Sequence, residues 1–403
     1  MFHELPPTAG LPLQWGDFTS DRTLSLEGKL ADFLQLSLGA ESVFIGSSGT
    51  ACLRIGLETL KQLRPERKVV VVPAFTCPLV AIAVADAGLT LQLCDLLPDS
   101  YDFDPVQLRE LVDESVLAVI PTHMGGLPAD MQSTLDAASL AGAFVIEDAA
   151  QALGARWHGR PVGTIGDIGM YSLTVGKGLT IFEGGVLVAR DEALRTRLMS
   201  VAAGMASSSM FSEISMFLQL LAYKILYNPV GLHFAYGVPR RAFLERHDEA
   251  RAVGDVFSRQ VAVHGVSGAR KRVAAAALDR LQAFLDANAA VARRRLAELN
   301  AVKGLRALAE HEATSGSWPF LSVVFDDAGS CKRALDTLWK SGLGVTRLFA
   351  HALTEYEYLR DIVPSKATPQ AQSFANRALT LTNSDFCSDA DFRRVVEVLK
   401  QSI

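Results

Sequence analysis

Cysteine is scarce and scattered. The five residues Cys52, Cys77, Cys94, Cys331 and Cys387 include no C-x-x-C pair, which argues against both a zinc knuckle and a disulfide framework. No charge of one sign dominates: 39 Lys and Arg stand against 44 Asp and Glu, a net charge of −5. There is thus no global basic field to draw in nucleic acid, and Arg293-Arg294-Arg295 reads as a solvated helix face. No apolar run reaches the ~20 uninterrupted residues of a membrane span. The stretch Met210 to Tyr236 comes nearest, but Lys224 and Asn228-Pro229 break it, and a proline there ends the helix. The start, Met1-Phe2-His3-Glu4-Leu5-Pro6-Pro7, lacks the basic-then-apolar order of a signal peptide, so a reduced, cytoplasmic setting is the expectation.

Lysine is the most informative scarcity. Between Lys68 and Lys224 there is one, Lys177, in the run Ser172-Leu173-Thr174-Val175-Gly176-Lys177-Gly178-Leu179-Thr180, followed by Glu183-Gly184-Gly185. Upstream, Val145-Ile146-Glu147-Asp148-Ala149-Ala150-Gln151 is an apolar strand ending in two carboxylates. A lone lysine in a Gly-rich stretch, with a carboxylate at a strand end, suggests Schiff-base chemistry. Pyridoxal phosphate requires a lysine for its aldehyde, an Asp for its ring nitrogen and a small-residue cradle for its phosphate.

The 403 residues, 49% hydrophobic, suffice for a large domain and a smaller one. From about 43 to 190, apolar runs such as Val69–Pro73, Leu89–Cys94, Leu117–Pro121 and Phe144–Glu147 alternate with helical stretches such as Leu79–Gly88 and Met131–Ala141. That pattern predicts a mostly parallel α/β/α sheet, with ligands beyond the carboxyl ends of its strands, where Asp148 falls. Residues 191 to 290 read as mostly helical. Phe320–Phe325 and Leu379–Thr382 read as strands, Lys332–Ser341 and Asp389–Lys400 as helices: a small C-terminal α+β domain. The expected division is 1–265 for the large cofactor-binding domain, with an apolar helical insertion at about 205–260, and 266–403 for a long helix and the small domain.

Four pieces form the candidate site. Ser47-Ser48-Gly49-Thr50-Ala51 follows a strand and opens a helix, where exposed N–H groups suit phosphate. Ser172 lies five residues before Lys177 and could reach the same phosphate. Asp148 would hold the ring nitrogen protonated and Gln151 would reach the ring's phenolic oxygen. Glu147 should point to the other side of the strand. Lys177 would form the Schiff base and then move a proton as acid and base.

These residues resemble the DegT/StrS-type nucleotide-sugar aminotransferases, fold-type I pyridoxal-phosphate enzymes. The matching segments are Ser48-Gly49-Thr50-Ala51, Val72-Pro73-Ala74-Phe75-Thr76, Tyr101-Asp102-Phe103-Asp104-Pro105 and Pro121 to Met131. Glu147 to Gln151, Gly159-Arg160-Pro161-Val162-Gly163, Gly166-Asp167 and Ser172 to Gly185 complete them. The resemblance implies Lys177 as the cofactor's lysine, Asp148 as its ring-nitrogen partner, and Gly49, Thr50 and Ser172 as phosphate contacts. It also implies a homodimer with shared active sites, L-glutamate as amino donor and a nucleotide-linked keto sugar as acceptor, in amino-sugar or polysaccharide biosynthesis.

The departures concern the substrate side. Where the family often places an aromatic over the ring, this chain has Cys77. The family's Gly-x-Asn-x-Arg segment, whose Asn commonly reaches the phosphate bound by the neighbouring subunit, reads Gly268-Ala269-Arg270-Lys271-Arg272 here, so Arg270 would stand at that position, where a guanidinium could bind phosphate. Its Thr-Gly-Glu-Gly-Gly reads Ile181-Phe182-Glu183-Gly184-Gly185, bringing a bulky Phe182 near the site, and the N-terminal arm is shortened. Related sugar dehydratases carry His at the lysine position, and Lys177 argues against that activity. A catalytically idle regulator, and an acceptor that is a cyclitol or a lipid-linked keto sugar, stay open as alternatives. The Met210–Tyr236 stretch has two readings: a helix buried at a subunit interface, or a peripheral, in-plane membrane contact.

Overall fold

The computed structural model describes residues 2–21, 23–207 and 210–403. Met1, Arg22, Ser208 and Ser209 lie outside them, the last two within the expected 205–260 insertion. The apolar runs become strands because β-branched side chains pack on both faces of a covered sheet. Strands β1 (Val43–Gly46), β2 (Val69–Pro73), β3 (Thr90–Cys94), β4 (Val116–Val119) and β5 (Phe144–Asp148) are followed by two short ones, β6 (Arg156–Trp157) and β7 (Arg160–Pro161). Then come β8 (Ile168–Ser172) and β9 (Gly185–Ala189).

The main sheet has seven strands in the order β1-β9-β8-β5-β4-β2-β3. Neighbours from β3 across to β8 are parallel, whereas β9 runs antiparallel to both β8 and β1. The fold-type I arrangement expected from the sequence is therefore present, with one reversed strand. That reversal follows from the Lys177 segment, which turns the chain straight back from β8 into β9 instead of crossing over through a helix.

The second sheet has four strands, β10 (Leu305–Ala307), β12 (Phe320–Phe325), β14 (Ala378–Thr382) and β13 (Val345–Thr346), in that order. The helices Ala328–Leu338 and Asp389–Ser402 pack together beside it. A third sheet, β11 (Thr314–Ser315) with β6 and β7, ties the two halves together and has no sequence signal.

The division near residue 265 is not a clean one. The helix Gly268–Ala277 packs on the helices Trp15–Phe18 and Leu26–Phe33 of the large domain, and a 3₁₀ turn, Leu278–Arg280, separates it from the long helix Leu281–Asn300. The N-terminal arm also crosses over: Leu5 N–H donates to Gly342 O at 2.8 Å and Ala9 N–H to Pro319 O at 2.6 Å. Met210–Tyr236 folds as a helix, Met210–Leu226, then the short helix Pro229–Leu232 and a π-helical turn, His233–Gly237. No helix among the described residues is long and apolar enough to cross a membrane.

Candidate active site

β1 hands the chain to Ser47-Ser48 and then to the helix Gly49–Leu63. Ser48 caps that helix, its hydroxyl accepting from Ala51 N–H at 3.0 Å. The remaining N–H groups of the first turn have no intrahelical acceptor. Gly49 and Thr50 line a cavity of about 500 Å³, together with Lys177, Asp148, Gln151, Ser172 and Cys77. Seven of the eight residues expected at the site are thus brought together.

Asp148 closes β5, and its backbone is locked from one side: Asp148 N–H donates to Pro121 O and His123 N–H to Asp148 O, both at 2.9 Å. Its Oδ1 accepts from Ala150 N–H at 3.0 Å. Burial pushes this carboxyl above the usual range, opposed by that bond and by the nearby Lys177 and His123. A buried carboxylate so placed is stabilised by a cation beside it, such as a protonated ring nitrogen. Gln151 Oε1 accepts from Gly125 N–H at 2.8 Å, which fixes the amide and leaves its NH₂ for a ligand oxygen.

Lys177 sits on a tight excursion between β8 and β9. Leu173 N–H donates to Gly184 O at 2.8 Å, Val175 N–H to Phe182 O at 3.0 Å and Lys177 N–H to Thr174 O at 3.2 Å. Gly176 turns the chain with φ +81, a conformation that side chains with a Cβ rarely adopt. Burial lowers the Lys177 ammonium's pKa from its ordinary value, although Cys77 and Asp148 oppose the shift. The residue is half-buried and borders the cavity. A larger neutral fraction is what a lysine nucleophile requires. Burial also pushes the Cys77 thiol up to about 12, so Cys77 stays protonated and offers shape rather than nucleophilicity.

One expectation needs correction. Arg270 does not line the cavity. It is buried, paired with Glu213 through Nε (3.1 Å) and Nη2 (2.7 Å), and its Nη1 donates to Ile181 O (3.2 Å) and Glu183 O (2.5 Å). With four of five N–H groups committed, it braces the lysine segment against the helix Met210–Leu226. Phe182, in the lysine turn and holding φ +74, does lie near the site, but its half-buried side chain packs against the core and does not line the cavity. Glu147 does point away from the cavity, and it is wholly buried. It accepts from Gly163, Ile165 and Gly166 N–H at 2.7, 2.6 and 2.6 Å and from His123 Nε2 at 3.0 Å.

Several lining residues were missed. Thr76 and Thr122 face each other, hydroxyl to hydroxyl at 3.3 Å. Both lie in segments that matched the family, so their polar character at strand ends was an available signal. Phe257 comes from the end of the expected 205–260 insertion, Val261 and His264 from just beyond it and Phe349 from the small domain, with no local pattern to reveal them. Ser47 holds the 262–264 stretch over the cavity, accepting from His264 N–H and donating to Ala262 O, both at 3.2 Å. The N-terminal arm was also missed: Leu11 N–H donates to Gly178 O at 3.1 Å, bracing the lysine segment from outside.

Together these features make a cradle for an anion, a buried carboxylate and an amine of lowered basicity around one cavity, a set that fits pyridoxal phosphate. The sequence matches the model of the DegT/DnrJ/EryC1/StrS aminotransferase family over residues 11–219 and 248–400. It is 35% identical over 164 residues to Protein MosB of Rhizobium meliloti, covering 41% of this chain and 32% of that protein. A putative L-glutamine:3-amino-2,3-dideoxy-scyllo-inosose aminotransferase of Micromonospora echinospora is 33% identical over 178 residues, covering 44% of this chain and 42% of that one. The chain thus spans less than half the length of these curated relatives. A putative sugar aminotransferase, Spr1654 from Streptococcus pneumoniae in its PLP form, shares the fold with a TM-score of 0.73 at 17% identity, over 99% of this chain and 98% of that one. Fold, ordered motifs and family model agree: the chain belongs to the DegT/DnrJ/EryC1/StrS aminotransferase family.

Proposed function

We propose that the protein is a pyridoxal-phosphate-dependent transaminase that moves an amino group from L-glutamate to a keto sugar, nucleotide-linked, in amino-sugar or polysaccharide biosynthesis. The observation that carries this reading is the convergence of Lys177, Asp148 and the Gly49–Thr50 helix start on one cavity. When bound, the cofactor supplies an aldehyde that condenses with amines and a ring that withdraws electrons from the adjoining carbon. The N–H groups of Gly49 and Thr50, with the Ser172 hydroxyl, hold its phosphate. Asp148 keeps a proton on the ring nitrogen, and the Gln151 amide donates to the phenolic oxygen.

Lys177 has two tasks. Its neutral amine would hold the cofactor through the aldehyde, and its Nζ would serve as the acid and base that moves a proton at the substrate carbon. The donor leaves as a keto acid before the acceptor enters, so the kinetics are ping-pong. The same reading carries a homodimer, in the cytoplasm, with cavities completed by the neighbouring copy. The named activity of the Micromonospora relative raises a second acceptor class, a cyclitol ketone with L-glutamine as donor.

The visible spectrum of the purified, cofactor-loaded protein is the test. A yellow protein that bleaches on adding L-glutamate, with the colour absent in Lys177→Ala, supports the reading. Bleaching by L-glutamine alone moves the donor assignment to the second acceptor class, and a protein that never takes up pyridoxal phosphate overturns the whole.

A further inference from the structure

The family match is interrupted at residues 220–247, and the chain around this gap is apolar on two sides. The inner face of the helix Met210–Leu226 is packed: Leu220 and Tyr223 are core residues, with Phe217 and Tyr227 against them. Its outer face carries Phe211, Ile214, Leu218 and Ile225, exposed by 85%, 55%, 58% and 56%. Their spacing puts them in one straight stripe opposite the packed side. Past the Asn228-Pro229 break, Val230, Phe234 and Val238 continue exposed, and Phe2 lays its ring on Phe234 with centroids 5.2 Å apart. A helix that is apolar all round is covered on both sides. Free surfaces rarely bare an apolar patch beyond a few hundred Å², and Phe211 alone bares roughly 150 Å².

We propose that this face seats the enzyme on the surface of an anionic lipid bilayer, with the helix lying in the membrane plane. Charge favours a bilayer over a second copy of the chain. Arg240 and Arg241 both converge on Glu4, at 2.7 and 2.6 Å, which leaves one positive charge in excess. Lys224 has no carboxylate partner among the described residues, and all this occurs in a chain of net charge −5. Aromatic placement agrees. Trp15 is 58% exposed, with Lys224 Nζ of the helix Met210–Leu226 5.3 Å over its ring, a pairing of amphipathic ring and cation suited to a headgroup layer. A helix partner is disfavoured by the flanks of the stripe. Ser215 and Gln219 bond to each other within the helix, so these positions lack the charge pairs that fix register between packed helices. The proposal is independent of the acceptor's identity.

Flotation of the full-length, cofactor-loaded protein with vesicles tests it. Vesicles of phosphatidylcholine with phosphatidylglycerol are expected to carry most of the protein, vesicles of phosphatidylcholine alone little, and raised salt should weaken the former. Leu218→Ser and Ile225→Ser should each lower partitioning by roughly tenfold without changing the cofactor spectrum or thermal midpoint. Lys224→Gln, which leaves the stripe intact, should weaken binding to the anionic vesicles alone. Failure to float with either vesicle overturns the proposal, as does flotation indifferent to both apolar substitutions. A particle mass by light scattering that halves in Leu218→Ser would assign the face to a second copy and likewise overturn it.

Discussion

Glu147→Gln isolates a buried carboxylate that does no chemistry yet sets the geometry of the site. Each of its oxygens accepts two hydrogen bonds, Oε1 from Ile165 and Gly166 N–H and Oε2 from Gly163 N–H and His123 Nε2. His123 Nδ1 accepts from Ala129 N–H at 3.0 Å, so the ring proton is committed to Nε2 and no tautomer change can rescue the pair. Glutamine replaces one acceptor by an NH₂ group, and either orientation confronts two donors with a donor. Each unpaired buried donor costs about 1–3 kcal/mol. Losing the charge relieves some desolvation but weakens the two remaining bonds. With those two effects offsetting, the net destabilisation is about 2–6 kcal/mol, a large share of a typical total of 5–15 kcal/mol. The thermal midpoint should fall by on the order of 5 °C, and pyridoxal-phosphate affinity should fall with it, because His123 N–H also positions Asp148 through its carbonyl. A midpoint within a degree of wild type, measured by circular dichroism on apo and loaded protein, would refute this account of the loop.

Three further substitutions probe the surroundings of the cavity. A Cβ at Gly10 would lie 3.0 Å from Lys177 O, so Gly10→Val should push the lysine segment inward at a cost of about 1–3 kcal/mol; equilibrium titration should show cofactor affinity down by about tenfold, and unchanged affinity would contradict the bracing role of the arm. Burial pushes the Asp255 carboxyl up to about 6, although Tyr356 OH and Ala350 N–H bond to it. An unfolded Asp titrates near 4, so between about pH 4 and 6 the folded state holds more protons, and this residue's contribution to stability falls as pH rises through that window, by roughly 3 kcal/mol. Asp255→Asn should therefore be the more stable protein at pH 8 and lose that advantage at pH 4.5; equal shifts of the thermal midpoint at the two pH values would count against it. Cys77 borders the cavity at the start of the helix Pro78–Asp86, so Cys77→Phe should fold and keep cofactor affinity within about threefold, read by absorbance titration, whereas loss of folding would place Cys77 in the core.

How much of this was legible in the sequence follows from the range of the interactions involved. β2 to β5 could be read because a strand covered on both faces is a continuous apolar run, as Val69 to Val72 shows. Lys177 and Asp148 could be read because a lone lysine and a strand-end carboxylate are local signals that name their chemistry. Arg270 was misjudged for the opposite reason. Its neighbours Gly268 and Arg272 are local, but its partner Glu213 lies 57 residues away, and a residue's availability depends on who has already claimed it. The arm against Gly178, the β6–β7–β11 sheet and the arrival of Phe349 are all long-range in the same sense, and no periodicity encodes them.

The apolar stretch after Met210 was ambiguous because composition adds up the two faces of a helix and cannot say which is satisfied. The fold separates them. Leu220 and Tyr223 are spent on the core, and Phe211, Ile214, Leu218 and Ile225 are not. The separation also links surface to site. Gly10 N–H donates to Tyr227 OH at 3.3 Å, and the same glycine rests against Lys177 O. Whatever covers the outer stripe therefore bears on a helix, about 10 Å thick, whose other side holds the segment that carries the reactive lysine. Tyr227, one residue past the end of that helix, holds Gly10, which packs against the Lys177 backbone. The helix Met210–Leu226, which itself adds no residue to the cavity lining, is in this way linked through Tyr227 and Gly10 to the catalytic turn.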